Sequence, residues 1–554
     1  MPDGASASSV PWGAKAVTIL GVDVRSLALF RGGLGIVLLA DLVERSRWLR
    51  ENYTDLGVLP RSLLAARPSA PFPSAHALGG SVAFEAFLFG LAGVFALMLL
   101  VGYRTRLAQI ASWYLLVSLQ VRNPLVQNAG DNILAVVLFL SLFLPLGAVA
   151  SLDARARAAD TRGAVLSPAS AALLLQFAFV YVFAGLNKTG SEWHGEGSAI
   201  YQALSHSYWS RPLGEMLLSY PALLRVLTPA VPVFEIVGPL LLFSPVATGP
   251  LRCLMIPAFW IFQHSLGLAI ELGVFPWVCT VAILPFVPTW LWDRAARLRG
   301  ADPPPAGPPP PPPVPDSAGG GAACWLSRVG NGFVAALLVL VVAANLGVLD
   351  ARLGHVLSVL RLTQFWTMYA PAPGSYDYWF TREGFLPDGT RLDLDRDGGG
   401  PSWERMREIH RNRRFKMYVE QMDKGDDALK RRYGRWLCRE FNAGRPGEPK
   451  LSVVKVHFAF RPIVPGASPL PAETRVSLKH SCGQGRVQRQ ASSSRRAGPG
   501  SAQRTRTEGR SLPLRRMRSR NSSRGAGGGT SLLSSGALSQ NSRQEGQNSA
   551  QAPS

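Results

Sequence analysis

FAFVYVFAGLNKTGSEWHGEGSAIYQAL, residues 177–204, passes from an apolar, aromatic run into a polar loop without a break. The run ends on Gly185-Leu186-Asn187-Lys188, and the loop after it carries Trp193. A bilayer crossing needs about 20 mostly apolar residues, so the run reads as a membrane-spanning helix that delivers Lys188 to its mouth. An ammonium in that position is partly stripped of water. That disfavours the charged form and favours use as a base. By position alone Lys188 reads first as a lysine reaching for the interface from a span end.

The same kind of run recurs along the chain. Hydrophobic residues make up 47% of the 554, and they cluster instead of alternating, which excludes one large soluble core. Spans are expected near 26–43, 81–101, 107–121, 133–150, 169–186, 230–243, 251–270, 274–291 and 332–349. The expected fold is therefore an all-α multi-pass transmembrane bundle of about nine spans. The first 20 residues lack a basic start, a long apolar core and a small-residue cleavage site, so the first span is expected to act as an uncleaved insertion signal.

A proline run, DPPPAGPPPPPPVP, precedes the last span and reads as an extended spacer. After that span a small extramembrane α+β domain is expected. LDLD comes after a D-G turn, RRFKMYVEQM and DALKRRYGRWLCREF have helical periodicity, and LSVVKVHFAFRPIV alternates like a strand. Beyond 479 large apolar residues nearly vanish, which predicts a disordered basic tail. The same Arg/Gly/Ser/Ala bias is the one a GC-rich gene gives in a shifted frame. The division is 1–24 N-terminal segment, 25–292 membrane domain, 293–326 linker, 327–349 last span, 350–478 extramembrane domain and 479–554 tail.

The formal charge is +22, and the tail holds fourteen Lys/Arg against Glu508 and Glu545, so it supplies more than half of the excess. That charge lacks interleaved aromatics, and no nucleic-acid partner is expected. The partners expected are the lipid bilayer and molecules that dissolve in it. With the N-terminus cytoplasmic, Arg104, Arg106, Arg155, Arg157, Arg162, Arg252, Arg294, Arg297 and Arg299 fall inside, as basic residues prefer. Arg45, Arg47, Arg50, Arg61 and Arg67 then fall outside, against that rule. This orientation puts residues 128–131, 188–193, Glu271 and the C-terminal domain on the outer side. Five cysteines without C-x-x-C spacing suggest neither a disulfide framework nor a zinc site.

Around Lys188, the setting G-[hydrophobic]-x-K-x-x-x-x-W (Gly185, Leu186, Lys188, Trp193) resembles the catalytic-lysine segment of the vitamin K-dependent gamma-glutamyl carboxylases. Their membrane part is the horizontally transferred transmembrane (HTTM) domain. HSLGLAIELGVFPW is similar to a carboxylase span with a histidine and, about ten residues on, a Gly-x-Phe element, here His264, Gly273 and Phe275. QFWTMYAPAP resembles the segment just past the last span in bacterial HTTM proteins. The resemblance covers roughly residues 20–475. It implies a bacterial inner-membrane location, Lys188 as the base that deprotonates reduced vitamin K, oxygen and carbon dioxide as co-substrates, and a protein or peptide substrate. The chain departs from the family at 145–153, PLGAVASLD, where the carboxylases carry a histidine, and its extramembrane part is shorter. Both departures favour quinol epoxidation over glutamate carboxylation. The alternative is a non-catalytic membrane scaffold or carrier that retains the fold.

The remaining candidates for substrate binding are Trp193, His264, Asn128, Asp131, Arg31 and Glu235. Arg31 and Glu235 stand within spans, where an ionisable group is a functional hypothesis by default. Arg31 is read evenly as facing a polar interior or snorkelling. Asn128 and Asp131 read first as helix-cap residues, His264 as a hydrogen-bonded bundle histidine. His194-Gly195-Glu196 lacks the P-C-x-x-C of zinc deaminases, and no metal is expected.

Overall fold

The computed structural model describes residues 12–65, 72–157, 163–300, 320–349, 351–360, 362, 364, 366–395, 413–467 and 469–483. The basic tail beyond 483 and the proline run lie outside them. Ten helices build the membrane part: α1 (Val24–Ser46), α2 (Val82–Val101), α3 (Thr105–Arg122), α4 (Ala129–Ser141), α5 (Pro168–Leu186), α6 (Pro221–Leu242), α7 (Thr248–Ala269), α8 (Phe275–Ala282), α9 (Thr289–Leu298) and α10 (Gly320–Asn345).

Local chemistry sets their ends. Ser81 Oγ accepts from Phe84 N at the start of α2, and Gly102, at φ 71°, closes its end in the left-handed region. Ser167 and Ser170 form a reciprocal capping box ahead of α5, with Pro168 in the first helical position. Pro285 and Pro288 interrupt the apolar run ahead of α10, so Phe275–Phe286 and α9 meet at 85°.

Helices stand at all nine expected places. Among the described residues, five are long and apolar enough to cross a membrane by themselves, α1, α2, α5, α6 and residues 328–345 of α10, and the bent pair makes six if it counts as one. α4, with 13 residues, is too short, and α3 and α7 carry too much polarity. The most apolar helix is also poorly covered: in α2 only 28% of the best window is buried. Phe87, Ile261 and Val226 are 64%, 71% and 73% exposed on helix faces. Apolar surface on that scale has no place in water.

The bundle core is aromatic. Phe177 of α5 lies 5.1 Å from Phe259 of α7 and 4.9 Å from Tyr181, ring centre to ring centre. Tyr181 hydroxyl accepts from Gln263 Nε2 at 2.7 Å. α1 and α2 cross closely because residue 35 is glycine: a Cβ there would sit 2.7 Å from Leu100 Cβ.

Chain ends sort to two faces. Arg31 donates to the carbonyls of Leu146 and Ala150, at the far face from Ser46. At the other face a cap is built from residues 366–395, 413–467 and 469–483. Strands β1 (Tyr376–Phe385), β2 (Arg391–Asp393), β3 (Val453–Pro462) and β4 (Glu473–Ser481) form an antiparallel sheet in the order β2-β1-β3-β4. Helices α11 (Arg413–Lys424) and α12 (Asp427–Ala443) contribute Tyr418, Tyr433 and Leu437 to its core. That core continues into Tyr53, Phe89 and Leu119 of the bundle. β4 runs past residue 479 to Ser481, and Cys482 is bonded to Cys438. The expected lack of disulfides is thereby corrected: scattered spacing hid two cysteines that the sheet brings together.

Candidate functional site

Lys188 comes just after the last turn of α5, where Asn187 caps the helix and Lys188 N donates to Gly185 O. Its Nζ lies 2.7 Å from Glu235 Oε2 of α6, and both side chains are buried. Ala184 O accepts a longer bond of 3.4 Å. Nζ also stands 5.2 Å from the Trp193 ring centre, within reach of a cation–π attraction.

Backbone geometry makes the pair possible. A Cβ at Gly185 would meet Ile236 Cγ1 at 2.8 Å and Pro232 O at 3.1 Å, so glycine lets α6 close onto α5. Pro229, Pro232 and Pro239 sit inside α6, and each removes an intrahelical donor near the approach.

The loop beyond Lys188 is tied to the segment that leads into the cap. Asn187 Nδ2 donates to Trp366 O at 3.3 Å, Gly190 N to Pro371 O at 2.9 Å, and Trp193 Nε1 to Tyr369 O at 2.9 Å. His194 Nε2 donates to Lys188 O at 2.7 Å. Deeper in the bundle, Gln176 and Gln364 exchange two amide hydrogen bonds.

Of the candidates, Lys188, Glu235 and Trp193 come together. His264 stands apart, between Thr280 Oγ1 at 2.9 Å and the Trp277 ring. Arg31 caps the turn after α4. Asn128 and Asp131 form a capping box on α4: Asn128 Oδ1 accepts from Gly130 N and Asp131 N, and Asp131 Oδ2 accepts from Asn128 N.

Asp131 also joins a second charged cluster, which does not stand out in the sequence. Arg45 lies 2.7 Å from Asp41 and 2.6 Å from Asp131, and Arg414 of α11 lies 2.6 Å and 2.9 Å from the same two carboxylates. Tyr53 hydroxyl accepts from Arg45 Nη1 at 2.8 Å. The i,i+4 spacing of Asp41 and Arg45 on an apolar helix is the one local signal of it. A small cavity between α1, α2 and α3 is lined by Asp41, His76 and Ser112 among apolar groups; its volume of about 20 Å³ suits one water. It does not reach Lys188.

Arg45 and Asp41 paired within a helix whose other faces are apolar, and leucines and phenylalanines turned outward around them, define an integral, multi-pass membrane protein. The family model of the HTTM domain matches residues 21–290, from just ahead of α1 to the first turn of α9. Over those residues the chain carries an HTTM domain. Searches of curated proteins and of solved structures returned no match.

Proposed function

We propose that this protein is a carboxylase-like membrane enzyme whose base is Lys188, acting on a lipid-soluble quinol-type substrate. The observation that carries the reading is the 2.7 Å contact of Lys188 Nζ with Glu235 in a buried site. An isolated ammonium there would be costly and inert as a base. Paired with a carboxylate, it can pass its proton to Glu235 without changing the net charge, leaving a neutral amine. That amine can then take a hydroxyl proton from a substrate. The Trp193 indole and apolar helix walls suit an aromatic, oil-soluble molecule. Reduced vitamin K fits that description, and when bound it would supply the oxygen chemistry of epoxidation. The histidine missing from 145–153 leaves glutamate carboxylation the weaker expectation.

We count nine passes, with the cap outside. Three features support that side. Arg104, Arg106, Arg155, Arg252, Arg294 and Arg297 lie at the opposite face. Three of the basic residues at the cap end are used in pairs: Arg45 as above, Arg50 with Glu440 at 2.6 Å and Arg61 with Asp55 at 2.8 Å. The Cys438–Cys482 bond suits an oxidising compartment. In a bacterial cell the membrane is the inner one and the cap is periplasmic.

A second reading has one observation in its favour: Glu235 and Ala184 O already satisfy Lys188, as in a structural pair of a scaffold or carrier. Epoxidation of vitamin K hydroquinone by purified protein separates the two. Turnover in wild type that vanishes in Lys188→Ala and Lys188→Arg supports the enzyme. Absent turnover, or turnover indifferent to Lys188, leaves the scaffold.

A further inference from the structure

We infer that α9 is an interfacial helix whose outward face binds the headgroups of anionic phospholipids. Three contacts fix its level in the membrane. Ser26 Oγ donates to Val287 O at 2.9 Å, Trp292 Nε1 donates to Ser26 Oγ at 2.8 Å, and Arg25 lies 2.8 Å from Asp293. Ser26 stands in the first turn of α1, a helix of 23 residues that spans the whole bundle. α9 therefore begins at the membrane boundary of the face away from the cap. The 85° bend turns it across the direction of α8, along the surface.

Its faces are divided to match. Trp292 and Asp293 point to α1, and Asp293, the one acid of the helix, is neutralised there by Arg25. Trp290, Arg294 and Arg297 are spaced i, i+4, i+7, which places them on one face, and Leu291 and Leu298 flank them. Trp290, Leu291 and Leu298 are 43%, 38% and 82% exposed, and Arg294, Arg297 and Arg299 are exposed as well. Among the described residues these three arginines make no side-chain hydrogen bond or ion pair. Apolar side chains and an indole ring suit the acyl boundary, and free guanidiniums just above them suit phosphate oxygens by forked hydrogen bonding. A zwitterionic headgroup offers the phosphate with an ammonium beside it. A net anionic one offers the charge these arginines lack.

The test compares purified full-length protein, wild type and the triple variant Arg294→Gln/Arg297→Gln/Arg299→Gln, in nanodiscs of phosphatidylcholine with increasing phosphatidylglycerol. Lipid retained after extraction into detergent is read by native mass spectrometry. Wild type should retain phosphatidylglycerol selectively, and the variant should lose that preference by on the order of five-fold per arginine removed. Arg155→Gln/Arg157→Gln, on the same face, should leave the preference intact. A triple variant that keeps it, or an Arg155/Arg157 variant that loses it equally, overturns the assignment to α9. Unchanged thermal unfolding of the variants in phosphatidylcholine shows that each has folded.

Discussion

Arg414 Nη1 lies 2.9 Å from Asp131 Oδ2, and 283 residues of sequence separate them. The contact joins the cap to the first turn of α4 in a site closed to water. Asp41 and Arg45 complete a ring of two cations and two anions in which each charge has two opposite neighbours, and Arg414 has a third, the half-exposed Glu44 at 2.7 Å. Such a ring adds little stability over a well-packed apolar core, but breaking it is costly, because the charges left behind stay buried.

Arg414→Ala should therefore destabilise the protein by about 3–5 kcal/mol, seen as an early loss of the cap in limited proteolysis and a lower unfolding temperature in detergent. Arg414→Lys should recover only part, since one ammonium cannot span both carboxylates.

At Lys188 and Glu235 structure and chemistry can be separated by a double-mutant cycle. Each single change, Lys188→Met or Glu235→Leu, leaves one buried charge alone and should lower stability. The double variant should regain most of it, with a coupling of about 1–3 kcal/mol. Quinol turnover should stay absent in all three. Recovery of turnover in the double variant would exclude Lys188 as the base.

Two groups beside the cap should give opposing pH dependences. Burial pushes the Asp377 carboxyl up to about 6, against hydrogen bonds from Ser207 and an ion pair with Arg461. An acid with a raised folded value costs stability as pH climbs from about 4 to 6. Burial lowers His206 to about 4, opposed by a backbone contact with Gly374, so its contribution is full above pH 6.5 and fades as pH falls toward 4. Each amounts to about 3 kcal/mol, and in the shared window they nearly cancel. Relative to wild type, Asp377→Asn should make stability rise with pH between about 4 and 6. His206→Asn should make it fall, as read by denaturant unfolding across that range.

Cys438 and Cys482 close a loop with a sequence separation of 44. Their replacement by serine, or reduction, should cost about 2–4 kcal/mol of cap stability. Alkylation of denatured protein from intact cells should find these two thiols blocked and Cys253 and Cys279 free.

The membrane helices are legible in the sequence because apolar runs are a one-dimensional signal: each carries its reason for burial in its own residues. The cap helices and β2 and β3 are legible for a similar reason, through periodicity and a D-G turn. β4 is not, because ETRVSLKHS is polar on its exposed face and merges into the basic tail. The lysine loop stands out through Lys188 and Trp193, and Glu235 through being an acid in a span. Their pairing cannot be read, since it depends on Gly185 admitting α6. Arg45 counts by sequence among the basic residues that speak against the orientation, yet its two carboxylate partners lie on α1 itself and 86 residues away. Long-range charge pairing leaves no local trace in sequence.

The bonds from Asn187, Gly190 and Trp193 to Trp366, Pro371 and Tyr369 have a consequence for biogenesis. Lys188 enters the membrane early in synthesis, yet the carbonyls that hold its loop are made nearly 180 residues later, after the last long helix. A half-made chain has the lysine but not the brace. The site is thus assembled last, and a protein with a missing or misplaced final helix would be left without it.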